Sequence, residues 1–186
     1  MIRKIKTQED LDREKRRNQI IIGSVMILLL VVSTAGYSLM SGDSNDKSFA
    51  EEEGFDFFRE NNLWKVNVNS QIYGFQYLPS EVVNVSINGT YDISTYSGQP
   101  LYFVGNSPAI PEILNNLQRY VLRSQEACLN GTNCTGNLPV KGCDSNLIIF
   151  ESGDETRVYK KENCVFVVGE HVRATDKFLY EALKII

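Results

Sequence analysis

Histidine and tryptophan occur once each in this 186-residue chain, and proline only five times. The single histidine, His171, would have to serve any Ser-His-Asp or Cys-His arrangement, and no G-x-S-x-G elbow accompanies it. H-E-x-x-H, a Walker A loop and G-x-G-x-x-G are also missing, so zinc-peptidase, nucleotide-hydrolase and dinucleotide chemistry have no motif to rest on. No C-x-x-C is present, which leaves a thioredoxin-type redox role without support. Positive charge is in deficit, with 19 Lys and Arg against 23 Asp and Glu and a net charge of −4. Neutralising phosphates needs a basic face, so nucleic acid is excluded as a partner of the main domain. No internal repeat is visible, which argues against a solenoid. The carboxylates Asp144, Glu151, Asp154, Glu155 and Glu162 read as a solvated acidic face and not as a glycosidase-like pair. No catalytic residue, metal or cofactor is expected; were the chain an enzyme, His171 would be its natural titrating group.

What is present is an uneven distribution of charge. Residues 1–17 carry seven bases and four acids, and residues 43–186 carry 12 bases and 19 acids. Between them, 18–42 is a run of 25 residues without charge, built around Ile20 to Val32. A bilayer core takes about 20 residues of helix, which residues 20–40 supply, with Tyr37 suited to a headgroup interface. The expected organisation is therefore a cytosolic basic stub over 1–17 and a transmembrane signal-anchor helix over 18–42. An acidic linker over 43–54 and an extracytoplasmic domain over 55–186 follow. The positive-inside rule places this single-pass protein in the cell membrane with its N-terminus cytoplasmic. A signal peptide cleaved after Ser33-Thr34-Ala35 and a buried core helix are the alternatives.

All four cysteines, Cys128, Cys134, Cys143 and Cys164, fall in the exported part. An even number in an oxidising compartment reads as two disulfides. Of three possible pairings, Cys128–Cys134 and Cys143–Cys164 are preferred: one closes a short Asn/Gly/Thr loop, the other ties a hairpin base to its returning strand. A zinc site is the alternative, although C-x5-C-x8-C-x20-C lacks the close pairs of zinc knuckles. Asn84, Asn88, Asn130 and Asn133 open N-x-[ST] sequons and are candidate glycosylation sites.

Within the domain, Ser48 to Glu51 could form a capping box opening a brief helix. Trp64 to Val68 and Gln71 to Leu78 predict a β-hairpin around Asn69-Ser70, and Pro79-Ser80-Glu81 a helical turn leading to a strand over 85–87. Leu101 to Val104 predicts a buried strand. A helix is expected from Ser107, as N-cap, to about Ala127, with Ile110, Ile113, Leu114, Leu117, Tyr120 and Val121 on its apolar face. Asn146 to Phe150 and 163–168 predict buried strands, with a return strand over 156–160 between them. A last helix runs from Thr175, as N-cap, to Ile186, burying Phe178, Leu179, Ala182, Leu183 and Ile186. The fold class is a single N-terminal transmembrane helix plus an α/β (α+β) ectodomain: a small mixed sheet, disulfide-stabilised, with two main helices on one face. Its first crossover should be parallel and right-handed.

The loops Gly105-Asn106-Ser107 and Gly169 to Arg173 both follow buried strands and precede helices. If those strands are parallel, both loops meet at the carboxyl edge of the sheet, where Ser107, His171 and Arg173 could hold an anion. The bland alternative is a pair of ordinary strand-to-helix loops. Tyr73, Phe75, Tyr77, Tyr91, Tyr96 and Tyr102 read as core packing, with an exposed aromatic patch as the functional alternative.

The layout, together with Tyr73-Gly74-Phe75-Gln76-Tyr77-Leu78-Pro79 and the run from Asn163 to Ile185, resembles small, uncharacterised single-pass membrane-anchored surface proteins of archaea. That resemblance is loose over the whole chain and implies no catalytic residue. The expected function is that of a membrane-anchored extracytoplasmic structural or interaction protein of the cell envelope, with another envelope protein as partner. An anion or glycan binding module at the carboxyl-edge loops is the alternative.

Overall fold

The computed structural model describes residues 8–40, 48–134 and 136–186, and the side chains of the first segment at 13 and 15–31. The chain divides into two compact units, Met1–Asp46 and Lys47–Ile186. The first contains one helix, α1 (Gln8–Met40, 33 residues). Its apolar side chains from Ile20 to Val31 are exposed, Ile20 at 68% and Leu30 at 67%. Among the described residues no helix is long and apolar enough to cross a membrane. The expected span over 20–40 continues past Val31 into side chains outside the described residues.

The second unit opens with strands β1 (Phe49–Glu52), β2 (Phe55–Glu60), β3 (Leu63–Val68) and β4 (Gln71–Phe75). They form an antiparallel meander in chain order. Each connection is two residues long, and both residues have positive φ: Glu53 and Gly54, Asn61 and Asn62, Asn69 and Ser70. That conformation matches the twist of a hairpin, and asparagine and glycine enter it at least cost. The hairpin expected around Asn69-Ser70 is present. The helix expected from Ser48 is not: Phe49 to Glu52 pair with β2, so the folded unit begins inside the expected linker. Alternation places Phe57, Val66 and Tyr73 side by side across three strands, all buried.

A 3-10 turn (Pro79–Val82) leads to β5 (Ser86–Asn88), and a second (Ile93–Tyr96) to β6 (Pro100–Val104). Helix α2 (Ile110–Leu117) is followed by β7 (Arg123–Glu126), then β8 (Cys128–Leu129), β9 (Val140–Lys141) and β10 (Asn146–Glu151). Strands β11 (Arg157–Lys161) and β12 (Cys164–Val168) and helix α3 (His171–Leu183) complete the chain. The main sheet has six strands in the order β5-β11-β12-β10-β6-β7. β10 is parallel to both β6 and β12, and β11 is antiparallel to β12. Strands β8 and β9 form a separate parallel ribbon.

The central strands of this sheet, β6, β10 and β12, are buried on both faces. Leu101, Phe103, Ile148, Phe150, Val165 and Val167 join the inner faces of α2, α3 and the meander in one core. Tyr102, Leu147, Ile149, Cys164 and Phe166 point the other way and pack beneath Ala127, Leu129 and Cys143 of the disulfide region. Both helices thus serve one face, as expected. The single small sheet of the sequence reading is corrected to two sheets sharing a core, plus the short ribbon.

Three further expectations are corrected. The helix from Ser107 begins at Ile110 and ends at Leu117. The Leu122 amide donates to Gln99 O, and β7 pairs with β6, drawing the chain into the sheet edge. Thr175 is not an N-cap, because α3 starts one turn earlier behind Glu170. The return strand β11 does not pair with β10; it turns at Glu162, where φ is 53°, into β12, which separates the two.

Both preferred disulfides are present, Cys128–Cys134 and Cys143–Cys164, with Cα–Cα distances of 5.8 and 5.0 Å. No described cysteine is free, which removes the zinc alternative. The second bridge joins the loop before β10 to the first residue of its parallel neighbour β12, where Leu147 and Cys164 are in register.

Candidate functional site

Because β6 and β12 both run parallel to β10, the loops 105–107 and 169–173 do meet one edge of the sheet. Glycine is needed in each. Gly169 has φ 82°, and a Cβ there would lie 2.8 Å from Glu155 O. Gly105 has φ 86°, with a Cβ position 3.1 Å from Phe150 O. The polar side chains, however, turn toward three different partners. Buried Ser107 Oγ accepts the Ala109 amide at 3.1 Å, inside the turn that starts α2. His171 Nε2 lies 3.1 Å from Glu151 O, with its ring tilted against Phe150. Arg173 is ion-paired with Glu170 at 2.9 Å, lies over the Tyr77 ring at 4.6 Å and donates to Glu81 O at 3.4 Å. The guanidinium best suited to an anion is thus neutralised within its own helix turn. A cleft of about 210 Å3 at this edge is lined by Gly105 and Asn106 together with Phe103, Glu126, Ala127 and Leu138. Of the six aromatics read as core, Tyr73, Phe75, Tyr91, Tyr96 and Tyr102 are buried and Tyr77 is half-buried.

The sequence reading gave no role to a buried carboxyl pair. Glu112 on α2 is 5% exposed, and Asp176 on α3 is fully buried. They converge on the chain leaving β4. Glu112 Oε1 accepts the Gln76 amide at 2.9 Å, and Asp176 Oδ2 accepts the amides of Gln76 and Tyr77 at 3.1 and 2.8 Å. The other oxygens, Glu112 Oε2 and Asp176 Oδ1, have no donor among the described residues. Burial is the main cause pushing both carboxyls up, and for Asp176 the adjoining Glu112 adds to it. The two side chains lie within hydrogen-bonding reach of one another, and a proton retained on either carboxyl is a donor to the other. Asn116, one helical turn after Glu112, exchanges hydrogen bonds with Gly74 in both directions, at 2.9 and 2.8 Å. Tyr180 donates to Tyr77 O at 2.6 Å. Side chains of α2 and α3 thereby replace a neighbouring strand along the free edge of β4. The signal was faint: Glu112 adjoins Ile113, and Asp176 stands three and four residues before Leu179 and Tyr180, on the buried face.

At the opposite, amino edge of the parallel strands lies a polar cleft of about 400 Å3. Its lining comes from the second 3-10 turn, the start of β6 and the segments before β10 and β12. Tyr102 stands in its wall, with Arg123 Nη2 3.3 Å from the hydroxyl and Lys141 over the ring. The hydrogen bond from Arg123 is the main cause holding this phenol below its ordinary value. The sequence reading did not find this cleft, because its lining comes from segments far apart in the chain.

The sequon residues Asn84, Asn88, Asn130 and Asn133 are all exposed. Among the described residues no group of three or more His, Cys, Asp or Glu could hold a metal ion. No protein-family model, curated protein or solved structure matches this chain.

Proposed function

We propose that this chain is a membrane-anchored extracytoplasmic structural or interaction protein of the cell envelope. Residues 1–17 lie in the cytoplasm, residues 20–40 in the bilayer and the disulfide-bonded domain outside. The observation that carries this reading is the pair of disulfides, because such bonds persist in oxidising compartments. Two features of the first unit agree with it. Of the 25 uncharged residues, the 23 from 18 to 40 belong to a helix of 33 residues. At 1.5 Å per residue that uncharged stretch is about 35 Å long, against a hydrocarbon core of about 30 Å. Excess bases precede the uncharged run and excess acids follow it. The four exposed sequon asparagines leave room for glycans on the exported face.

Protease treatment of intact cells carrying an N-terminally tagged chain tests the topology. The domain should be digested, the tag should survive in the membrane pellet after alkaline washing, and the four cysteines should resist alkylation until reduced. A protected domain with free thiols would overturn the reading. The partner is tested by cross-linking on intact cells, where one stoichiometric envelope protein should be recovered with the tag.

A further inference from the structure

We propose that the cleft at the amino edge of the six-stranded sheet is a binding site for a small uncharged saccharide. Its volume of about 400 Å3 falls in the range of small-molecule sites. Such sites are mostly apolar, whereas here Thr95, Gln99, Ser145, Asn146 and Asn163 contribute hydroxyls and amides. The charges in the lining cancel, one ammonium at Lys141 against one carboxylate at Asp144, which favours neither an anion nor a cation. Hydroxyl and amide groups both donate and accept, as sugar hydroxyls do.

The acceptors are held ready. Asn146 Nδ2 donates to Thr95 O at 3.1 Å, and Asn163 Nδ2 donates to Asp144 O at 3.3 Å. Each amide is thereby oriented, and no described residue donates to either Oδ1, leaving two acceptors for ligand hydroxyls. The wall itself is stapled. Cys143–Cys164 ties the 141–146 segment to β12, the Asn163 amide donates to Cys143 O at 3.0 Å, and the Ser145 amide donates to Gly142 O at 3.0 Å. A site fixed before binding loses less entropy when the ligand arrives. The disulfide thus acquires a role in positioning as well as in stability. The inference stands apart from the membrane placement, since the cleft lies wholly within the second unit.

Saturation-transfer NMR on the full chain in nanodiscs tests it, with glucose, galactose, mannose and N-acetylglucosamine as probes. At least one sugar should show transfer, and excess inorganic phosphate should not displace it. Gln99→Trp places an indole at the exposed rim of the cleft and should abolish the signal without moving the thermal unfolding midpoint. Asn146→Ala combined with Asn163→Ala should weaken binding at least about tenfold. Absence of transfer from all four sugars, displacement by phosphate, or transfer that survives Gln99→Trp would each overturn the proposal.

Discussion

Glu112 and Asp176 meet over a single amide, that of Gln76, which donates to both carboxyls from the end of strand β4. Two carboxylates around one shared N–H repel each other, and a retained proton removes that repulsion. The pair therefore links the fold to pH in the sense opposite to an ordinary surface ion pair.

The folded-state pKa values of both groups are raised above the ordinary carboxyl range. Their contribution to stability is thus complete below the unfolded-state values, about 4, and is lost as pH rises through the folded values. Asp176→Asn keeps acceptors for Gln76 and Tyr77 and supplies a permanent donor to Glu112. The variant should gain stability over the native chain near neutral pH, on the order of 1–2 kcal/mol, and gain nothing at pH 4. Urea unfolding midpoints at the two pH values measure the difference; an equal shift at both would remove the proton-sharing account.

Asn116 stands in for a β-strand against Gly74. Asn116→Leu conserves bulk but orphans a backbone donor and acceptor together. The expected loss is about 3 kcal/mol, with hydrogen exchange accelerated at Gly74 and Gln76 ahead of the six-stranded sheet. A loss below about 1 kcal/mol would mean that water reaches this edge.

Thr175 is fully buried, and its hydroxyl has no partner among the described residues. Thr175→Val replaces that hydroxyl with a methyl group of similar size. A gain of roughly 1 kcal/mol is expected, read as a higher thermal midpoint. Destabilisation would reveal a hydrogen bond formed in solution.

The two disulfides should differ in value. Loops separated by 6 and 21 residues correspond to roughly 2 and roughly 3 kcal/mol of chain entropy. Replacing Cys143 and Cys164 with serine should cost more than replacing Cys128 and Cys134, and should also loosen Asn163 beside the cleft. Equal losses would show that native packing, not loop length, sets their worth.

Local chemistry made much of this protein legible in advance. Asn69-Ser70 specifies its own turn, Cys143 and Cys164 flank the strands they join, and the apolar runs at 101–104, 146–150 and 163–168 have little alternative to burial. Each depends on a few adjacent residues or on covalent reach. The 118–127 segment was misread for the converse reason: the helical spacing of Tyr120 and Val121 is real, but the open edge of β6 outcompetes it by accepting β7.

The sequence by itself determined the hairpin around Asn69-Ser70, the buried strands β6, β10 and β12, the presence of helices α2 and α3, the preferred cysteine pairing and the uncharged segment on which the anchor proposal rests. Tertiary structure alone decided the partnerships. Glu112 lies 64 residues from Asp176, and no periodicity announces that two acids will share one amide. Loops 105–107 and 169–173 reached a common edge as expected, while Arg173 pairs with Glu170 and lies over the Tyr77 ring. The physical reason is range: backbone preference and hydrophobic period act over a few residues, whereas charge pairing and cleft formation depend on which distant segments the core brings together.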